Sequence, residues 1–377
     1  MKTEDNIRYY IQQRKDKELF RQLSVSQCNI DFSSNDYLGL SRSAFIRQQV
    51  EIAYHHLNFQ KSGATGSRLL SGNSELCERL ESMLAKHHHA EAALLFNAGF
   101  DANVGLISTV VQPNDIVFYD ELVHASIHQG MRLSKADLVS FKHNDYIDLE
   151  NKLKTFNQAK NVFIITESIF SMEGDRADLK KLADLSQKYD AHLIIDEAHA
   201  TGIFGSYGSG LCNEAGIEEQ CFARVYTFGK AIGSHGAVVV GKKWLKEYLI
   251  NFSKNFIYTT ALDTHNLLNV EHSYLFLKNN INQLVKLNNL KQYFIDRLST
   301  LKNAFKVTGE GPIFGIIVQG NEKCRKIATY LQQNGLDVRP ILSPTVPEGQ
   351  ERLRIILHSF NTAAEIDLLF SLLIDYK

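Results

Sequence analysis

The sequence lacks several features that would place it in common functional classes. Its 41 Lys and Arg residues almost balance 42 Asp and Glu residues, and a net charge of −1 gives no electrostatic surface for nucleic acid. No apolar stretch approaches the roughly 20 residues of a membrane span, and the N-terminus MKTEDNIRYY has no apolar signal region. The five cysteines are scattered without a CxxC pair, which is typical of reduced thiols. We therefore expect a soluble cytoplasmic enzyme with no nucleic-acid partner and no membrane span.

An acid pair at the end of an apolar run raises the first question of chemistry. Residues 192–205 read HLIIDEAHATGIFG, in which Asp196 and Glu197 are followed by His199. A helicase-type NTPase would use such a pair to hold Mg²⁺ beside a nucleotide. An enzyme that uses pyridoxal phosphate (PLP) would aim the aspartate at the ring nitrogen of the cofactor. A strand that merely ends on two charges is the third alternative.

The NTPase alternative requires a glycine-rich loop that ends in Gly-Lys-Ser or Gly-Lys-Thr. The sequence offers Gly-Lys-Ala at 229–231 and Gly-Lys-Lys at 241–243, and neither tripeptide fits. Without a phosphate-binding loop the sequence has no nucleotide site that the acid pair could complete, and we reject this alternative.

Short apolar runs alternate with helical stretches over most of the chain. Most of these runs are apolar on both faces, which is typical of a mainly parallel sheet covered by helices. The sequence therefore predicts a doubly wound α/β domain. We expect helices at 45–58, 74–88 and 179–189, and strands at 93–96, 115–120, 137–141, 161–167, 192–197, 224–228 and 236–241.

The C-terminal third has a different pattern. A long helical stretch over 264–303 leads into a smaller α+β lobe, with strands predicted near 314–320, 336–340 and 352–357. We therefore divide the chain into an N-terminal helix and arm (1–40), a large domain (41–265), and a long helix with a small C-terminal domain (266–377).

Chemically useful side chains follow the predicted strands of the large domain. Ligands of doubly wound sheets bind at the carboxyl ends of the strands. The residues at these ends include a lysine, two acids, two histidines and a glycine turn before a helix: Asn97 to Phe100, His124, Glu167, Ser171, Asp196, His199, Thr227 and Lys230.

PLP chemistry needs a set of this kind. A lysine forms a Schiff base with the aldehyde, and a carboxylate keeps the ring nitrogen protonated. A charge pair near 4 Å is worth about 4 kcal/mol at an effective dielectric of 20, or roughly three pKa units. Gly99 lets backbone N–H groups at a helix N-terminus approach a phosphate, and His124 is placed to cover the other face of the ring.

Nine motifs extend the pattern almost from end to end: SSNDYLGLS (33–41), SGATGSRLLSGN (62–73), FNAGFDANVG (96–105), HASIHQGMRLSKA (124–136), SIFSMEGD (168–175), DEAHATGIFG (196–205), TFGKAIGSHGA (227–237), FIYTTAL (256–262) and PTVPEGQERLRI (344–355). By these motifs the chain resembles the α-oxoamine synthase family of fold-type I PLP enzymes. The resemblance implies a PLP-dependent transferase with a large, mainly parallel seven-stranded sheet domain and a smaller α+β C-terminal domain.

The resemblance also implies a reaction, the decarboxylative condensation of an amino acid with an acyl thioester carried by CoA or by a carrier protein. The chain is most similar to the members that condense L-alanine with a pimeloyl thioester in biotin synthesis. Glycine with acetyl-CoA, or an amino acid with a long acyl thioester, is the alternative within the family. A binding or regulatory module without catalysis would have a damaged lysine or aspartate, and Lys230 and Asp196 are intact.

Roles for individual residues follow from the same resemblance. It implies that Lys230 forms the Schiff base, that Asp196 contacts the ring nitrogen and that His199 contacts the phenolic oxygen. The other cofactor contacts that it implies are a stacking ring, two hydroxyls and a phosphate-binding turn: His124, Ser171, Thr227, Gly99 and Phe100. No metal is implied.

Further implied contacts concern a second subunit and the substrates. Thr260 would reach the phosphate from the neighbouring subunit, which implies an obligate homodimer with shared active sites. Asn35 and Arg354 would hold the carboxylate of the amino acid, a task suited to a bidentate guanidinium. Ser67 would border the amino-acid side of the cofactor, and Arg21 would lie near the acyl substrate.

Simpler explanations exist for some of these residues. Ser171 and Thr227 could be local turn or cap hydroxyls, and Arg21 could be a surface charge on an amphipathic N-terminal helix. The run His87-His88-His89 resembles a metal site, but consecutive residues on a helix point in different directions. We expect a solvated helix end there.

The chain departs from the family pattern mainly on the acyl-substrate side. Leu342 stands where the family usually has an arginine before Pro-Pro, and Arg339 lies slightly earlier. Asp263 and Thr264 replace a usual Pro-Pro pair. The reaction type is therefore better determined than the acyl chain.

Overall fold

The computed structural model describes residues 3–17, 19–23, 25–58, 60–156, 161–301 and 305–376. Its helices are α1 Thr3–Asp16, α2 Ala44–His55, α3 Glu75–His87, α4 Gly99–Val110, α5 Ala125–Ser134, α6 Tyr146–Lys154, α7 Leu179–Lys188, α8 Leu211–Ala215, α9 Lys243–Phe252, α10 Lys254–Ile257, α11 Thr264–Asn279, α12 Asn282–Arg297, α13 Asn321–Gln333 and α14 Ala363–Asp375. Within the described ranges, no helix has the length and apolar character to span a bilayer.

The strands are β1 Ile30–Asp31, β2 Ala92–Phe96, β3 Ile116–Asp120, β4 Asp137–Phe141, β5 Val162–Glu167, β6 Ala191–Asp196, β7 Cys221–Thr227, β8 Ala237–Gly241, β9 Lys306–Thr308, β10 Ile313–Ile317, β11 Leu336–Asp337, β12 Arg339–Ile341 and β13 Arg352–Ile356. Seven of them form the main sheet in the order β2-β8-β7-β6-β5-β3-β4.

The main sheet confirms the predicted architecture. Strand β8 runs antiparallel to β2 and β7, and every other neighbouring pair is parallel. Strands β2 and β5 are buried at every position, because helices cover both faces of the sheet. The carboxyl ends of β3, β5, β6 and β7 therefore meet at one edge, where the chain places its polar side chains.

A second sheet, in the order β12-β13-β10-β9, is antiparallel and forms the small C-terminal lobe with α13 and α14. The N-terminal segment joins this lobe, since β1 pairs with β11 through Ile30 and Leu336. A strand of two residues has no apolar run that sequence reading could detect. The division into 1–40, 41–265 and 266–377 stays a prediction.

The helical pattern expected over 264–303 is wrong as one helix, because it is divided into α11 and α12. Asn280 has extended backbone angles, φ −140° and ψ 93°, where α11 ends. The break lies in the run Asn279-Asn280-Ile281-Asn282. Asparagine is a poor helix former because its amide competes for backbone hydrogen bonds.

Helix α3 begins as the sequence predicts, with the Ser74 hydroxyl accepting a hydrogen bond from the backbone N–H of Cys77 at 3.2 Å. The C-terminal end of α3 differs from the expected solvated helix end. His88 is fully buried, stacked on Tyr226 at 3.6 Å between ring centroids. Its Nε2 lies 3.0 Å from the Tyr274 hydroxyl. The expectation of a solvated helix end is therefore wrong for His88, because α3 ends against β7 rather than in solvent.

A buried carboxylate attaches the loop over 62–73 to the sheet. Glu81 is 1% exposed, and its Oε1 accepts hydrogen bonds from Arg68 Nη1 at 2.7 Å and from the backbone N–H of Leu95 at 3.0 Å. Its Oε2 accepts one from Lys246 Nζ at 2.7 Å. One carboxylate thus neutralises two cations that come from separate parts of the chain.

We expect Glu81→Gln to lower the free energy of unfolding by roughly 3 kcal/mol, because it leaves two partly buried cations without a counter-charge. Urea unfolding followed by tryptophan fluorescence measures the change. The matched control is Glu91→Gln, which removes the exposed ion pair with Lys242 at 2.8 Å. Equal urea midpoints for the two variants would contradict the assignment of Glu81 to the core.

Candidate active site

A cavity of about 390 Å³ opens at the carboxyl edge of the main sheet. Twelve of the residues singled out in the sequence line it: Asn35, Ala98, Gly99, Phe100, His124, Glu167, Ser171, Asp196, His199, Thr227, Lys230 and Arg354. They come from the segment after β1, from the turns after β2, β3, β5, β6 and β7, and from β13 of the small lobe. The fold therefore brings together residues that are as many as 319 positions apart.

Asp196 ends β6 with its carboxylate in the cavity wall, where the residue is 5% exposed. Its Oδ1 accepts a hydrogen bond from the backbone N–H of Ala198 at 2.8 Å, and its Oδ2 accepts one from Asn103 Nδ2 at 2.6 Å. Asn103 lies on α4 and donates also to Ser126 Oγ at 3.0 Å. Two donors thus fix the orientation of the carboxylate.

His124 precedes α5 and caps it. Its Nδ1 accepts hydrogen bonds from the backbone N–H of Ser126 at 3.2 Å and from the Ser126 hydroxyl at 2.8 Å. Burial lowers the pKa of His124, although the charge of Asp196 opposes the shift. The ring is therefore neutral near pH 7, and its proton is on Nε2.

Lys230 lies in the loop after β7, with its ammonium group facing the cavity. Burial lowers its pKa from 10.5 to about 8, while the carboxylates of Asp196 and Glu167 oppose the shift. A lysine with such a pKa is partly a neutral amine near pH 8, and only the neutral amine is a nucleophile. The site thus supplies a reactive amine at a strand end.

Glu167 is the second buried acid of the cavity. It pairs with Asp196 across β5 and β6, and it is 3% exposed. Its Oε1 is buried and has no hydrogen-bond partner among the residues that the structure describes. Burial, reinforced by the charge of Asp196, raises the pKa of Glu167 well above its ordinary value. The raised pKa favours the neutral carboxyl group, which limits the negative charge beside Asp196.

The N-terminus of α4 forms the floor of the cavity at Gly99. A Cβ atom on Gly99 would lie 2.5 Å from Cγ2 of Thr227, so that a larger residue would displace the strand end. Without a side chain there, the first N–H groups of this helix of 12 residues stay accessible. Such a helix end binds phosphate through its N–H groups and its dipole.

The small lobe contributes Arg354 from β13. Its Nε donates to the backbone carbonyl of Ser171 at 2.7 Å, and its Nη2 donates to Asn35 Oδ1 at 3.2 Å. Arg354 lines the cavity, and its planar guanidinium suits a carboxylate. The Thr227 hydroxyl donates to the Ala198 carbonyl at 3.4 Å.

Three of the predicted residues do not line this cavity. Arg21 is exposed in the segment after α1, and not on the helix. Ser67 and Thr260 belong to two loops that are joined by a hydrogen bond from the Ala261 N–H to the Gly66 carbonyl at 3.0 Å. Neither Ser67 nor Thr260 is among the residues that line the cavity, although the Thr260 carbonyl accepts a hydrogen bond from Asn97 Nδ2 at 2.7 Å.

The structure adds lining residues that sequence reading missed. Asn103, Met172 and His235 all lie within the motifs quoted above, but no role was assigned to them. Asn103 occupies an ordinary position within α4, seven residues before the end of the helix. Arg339 makes an ion pair with Asp337 at 2.6 Å. Within the described ranges, no three His, Cys, Asp or Glu residues cluster as metal ligands.

This donor set fits PLP. The cavity has a carboxylate with fixed orientation for a pyridine nitrogen, a reactive amine for an aldehyde, and a helix N-terminus without a side chain for a phosphate. Each group comes from a different strand end, so that they face one bound molecule together.

Comparisons with known proteins agree with the geometry. The family model described as aminotransferase class I and II matches residues 29–371. The 8-amino-7-oxononanoate synthase of Emericella nidulans is 39% identical over 96% of this chain and 93% of its own length.

Solved structures are similar as well. The 8-amino-7-oxononanoate synthase from Francisella tularensis superposes with a TM-score of 0.78 at 30% identity, over 92% of this chain and 98% of its own. The serine palmitoyltransferase of Sphingomonas wittichii gives a TM-score of 0.85 at 26% identity, over 92% and 86%. The chain therefore belongs to the aminotransferase class I and II family, and within it to the PLP-dependent α-oxoamine synthases.

Proposed function

We propose that the protein condenses L-alanine with a pimeloyl thioester to give 8-amino-7-oxononanoate, CO₂ and free thiol, a step of biotin synthesis. A bond forms between Cα of alanine and the acyl carbonyl carbon, while the carboxyl group leaves as CO₂ and the thiol leaves the acyl group. One observation carries the proposal: Lys230, Asp196 and Arg354 converge on one cavity in a chain that is 39% identical to a protein of this name.

Bound PLP accepts the electron pair that is released at Cα of the amino acid. In the proposal, Asp196 holds the proton of the ring nitrogen, since its carboxylate is fixed by two donors and faces the cavity. His124 covers one face of the ring as a neutral imidazole. Gly99, Phe100, Ser171 and Thr227 complete the contacts with the cofactor.

Lys230 has two tasks in the proposal. Its amine binds the aldehyde of the cofactor, and when released it moves the proton at Cα, for which a pKa of about 8 is well matched. Arg354 and Asn35 orient the carboxylate of the amino acid. The carboxylate of the amino acid would bind beside the contacts of Arg354 with Ser171 and Asn35. Because Arg354 belongs to β13, the small lobe would contact the substrate on that side of the cavity.

We further propose a homodimer with shared active sites. Ser67 and Thr260, which lie outside the cavity of their own protomer, would then border the amino acid and the phosphate in the partner's site. Helix α1 has no buried residue in the single chain, and its Ile7, Tyr10 and Ile11 are exposed apolar side chains that a second copy can cover. Contact of Arg21 with the acyl substrate stays a prediction.

We place the protein in the cytoplasm, because its five cysteines are all free thiols and four of them are buried. The sister reactions remain candidates for the second substrate, since one similar structure is named serine palmitoyltransferase. A comparison of substrates separates them.

Purified protein with PLP should respond to alanine by a change in the cofactor absorbance, and should then release thiol from pimeloyl-CoA but not from palmitoyl-CoA. The rate of thiol release with alanine should exceed that with glycine by roughly 10- to 200-fold, the selectivity that one methyl-sized contact provides. A thiol reagent measures the release. Faster release with glycine and acetyl-CoA, or with serine and palmitoyl-CoA, would assign the protein to a sister reaction.

Borohydride reduction of the protein with PLP should attach the cofactor to the peptide that contains Lys230. The rate of cofactor capture should rise with pH with a midpoint near 8, because the pKa of Lys230 is lowered from 10.5 to about 8. Mass spectrometry of the peptides identifies the site, and stopped-flow absorbance gives the rate. Label on Lys242, which is exposed and paired with Glu91, would refute the assignment.

Asp196→Asn should lower kcat by a factor on the order of 10² or more while PLP still binds. The amide keeps the shape of the side chain but cannot hold the ring nitrogen as a cation. The control is Asp190→Asn, an identical change just before β6 at the opposite end of the same strand. Equal rates for both variants would show that ring protonation does not depend on Asp196.

A further inference from the structure

A chain of short hydrogen bonds joins the carboxylate-binding arginine to a histidine of the cavity. Arg354 Nη2 donates to Asn35 Oδ1 at 3.2 Å, and the Tyr37 hydroxyl lies 3.2 Å from the same oxygen. The Tyr37 hydroxyl lies also 2.6 Å from Nδ1 of His199. Tyr37 is 0% exposed and His199 is 4% exposed, so that water does not compete for these groups.

The Tyr37 hydroxyl has one proton and two possible acceptors. Asn35 Oδ1 already accepts a charged donor from Arg354, and its distance from the hydroxyl is longer by 0.6 Å than that of His199 Nδ1. The shorter contact takes the proton, because 2.6 Å lies within the usual range of a hydroxyl hydrogen bond, about 2.5–3.0 Å, and 3.2 Å lies outside it. Burial raises the pKa of Tyr37, so the hydroxyl keeps its proton.

His199 must be neutral for Nδ1 to accept that proton. Burial lowers the pKa of His199 well below its ordinary value, and the charged groups that face it, Lys230 and Arg354, lower it further together with His124. A neutral imidazole has one N–H, and when Nδ1 is an acceptor the proton is on Nε2. Within the described residues, Nε2 has no hydrogen-bond partner of its own.

We propose that Tyr37 is a positioning residue: its hydroxyl donates to Nδ1 of His199 and fixes the ring proton on Nε2, the nitrogen left to face the cavity. His199 thereby presents a neutral donor to an acceptor oxygen of the bound cofactor. Asn35 Oδ1 lies near both the Tyr37 hydroxyl and the Arg354 guanidinium. Tyr37, which sets the tautomer of His199, therefore shares this acceptor with Arg354, which is proposed to bind the substrate carboxylate. The inference rests on the proposed function only in that His199 faces bound PLP.

The chain offers a matched control in a second buried tyrosine. The Tyr274 hydroxyl lies 3.0 Å from Nε2 of His88, whose Nδ1 lies 2.9 Å from the carbonyl oxygen of Ser209. A carbonyl only accepts, so that His88 has its proton on Nδ1, the opposite tautomer to His199. Both tyrosines are buried, and only Tyr37 is near the cavity.

Solid-state NMR of protein labelled with ¹⁵N-histidine distinguishes protonated from unprotonated ring nitrogens, before and after PLP is added. The His199 signals are assigned by their loss in His199→Gln. We expect protonated Nε2 in the native chain. In Tyr37→Phe the ratio of the two tautomers should change roughly fivefold towards Nδ1–H, the effect of one lost hydrogen bond of about 1 kcal/mol. Tyr274→Phe should change the His88 signals and leave those of His199 as they are.

A second measurement follows the absorbance of bound PLP against pH. Loss of the Nε2–H donor would destabilise negative charge on the phenolic oxygen of PLP. The pH midpoint of the absorbance change should therefore rise by roughly half a pH unit to one unit in Tyr37→Phe. Tyr274→Phe should leave it unchanged. Protonated Nδ1 in the native chain, or unchanged His199 tautomer and midpoint in Tyr37→Phe, would overturn the proposal. Neither readout needs the amino acid or the thioester, so failure of the proposed reaction would leave the result intact.

Discussion

The charge of Asp196 at the end of β6 is the constraint on which the cavity depends. A buried carboxylate is costly unless donors solvate it, and here the Ala198 N–H and the Asn103 amide do so. Asn103 continues the network through Ser126 to His124. A change at any of these positions would therefore alter the orientation of both the acid and the ring that flanks the cofactor. The raised pKa of Glu167 favours its neutral form and so limits a second buried charge beside Asp196.

The loop after β5 attaches the small lobe to this network. Arg354 donates to the Ser171 carbonyl, and Arg352 Nη1 donates to the Met172 carbonyl at 3.0 Å. Gly174 has φ 72°, and a Cβ atom there would overlap the carbonyl of Ile313. On the other side, His143 bridges Asp120 and Asp175 at 3.0 and 2.8 Å. These two carboxylates outweigh burial and raise the pKa of His143 to about 10, so that the bridge is charged at neutral pH.

The sequence predicted the strands of the main sheet because each is a short apolar run, and predicted most of the cavity because ligands bind at strand ends. Asn103 and Tyr37 lie in quoted motifs, but the sequence could not predict their contacts, because their partners are 93 and 162 positions away. Nothing local marks such a contact. His88 illustrates the opposite error: three histidines at a helix end look solvated, but α3 ends against β7 and Tyr274. The break at Asn280 coincides with a run of asparagines at 279–282, which is a local signal for the end of a helix.

Burial favours the neutral form of both His124 and His199, and this fits the charges around them. Lys230 and Arg354 are the basic groups that the proposed chemistry uses: the amine of Lys230 for the aldehyde and the guanidinium of Arg354 for the substrate carboxylate. Two imidazolium ions between them would lower the pKa of Lys230 further and repel the proton that Asp196 is proposed to hold on the ring nitrogen. Burial of His124 and His199 prevents this. In both rings Nδ1 is engaged by a neighbouring hydroxyl, and each ring is thereby left with Nε2–H as a neutral donor. Ser126 has for His124 the role that we assign to Tyr37 for His199, and the two rings contact the cavity without adding charge to it.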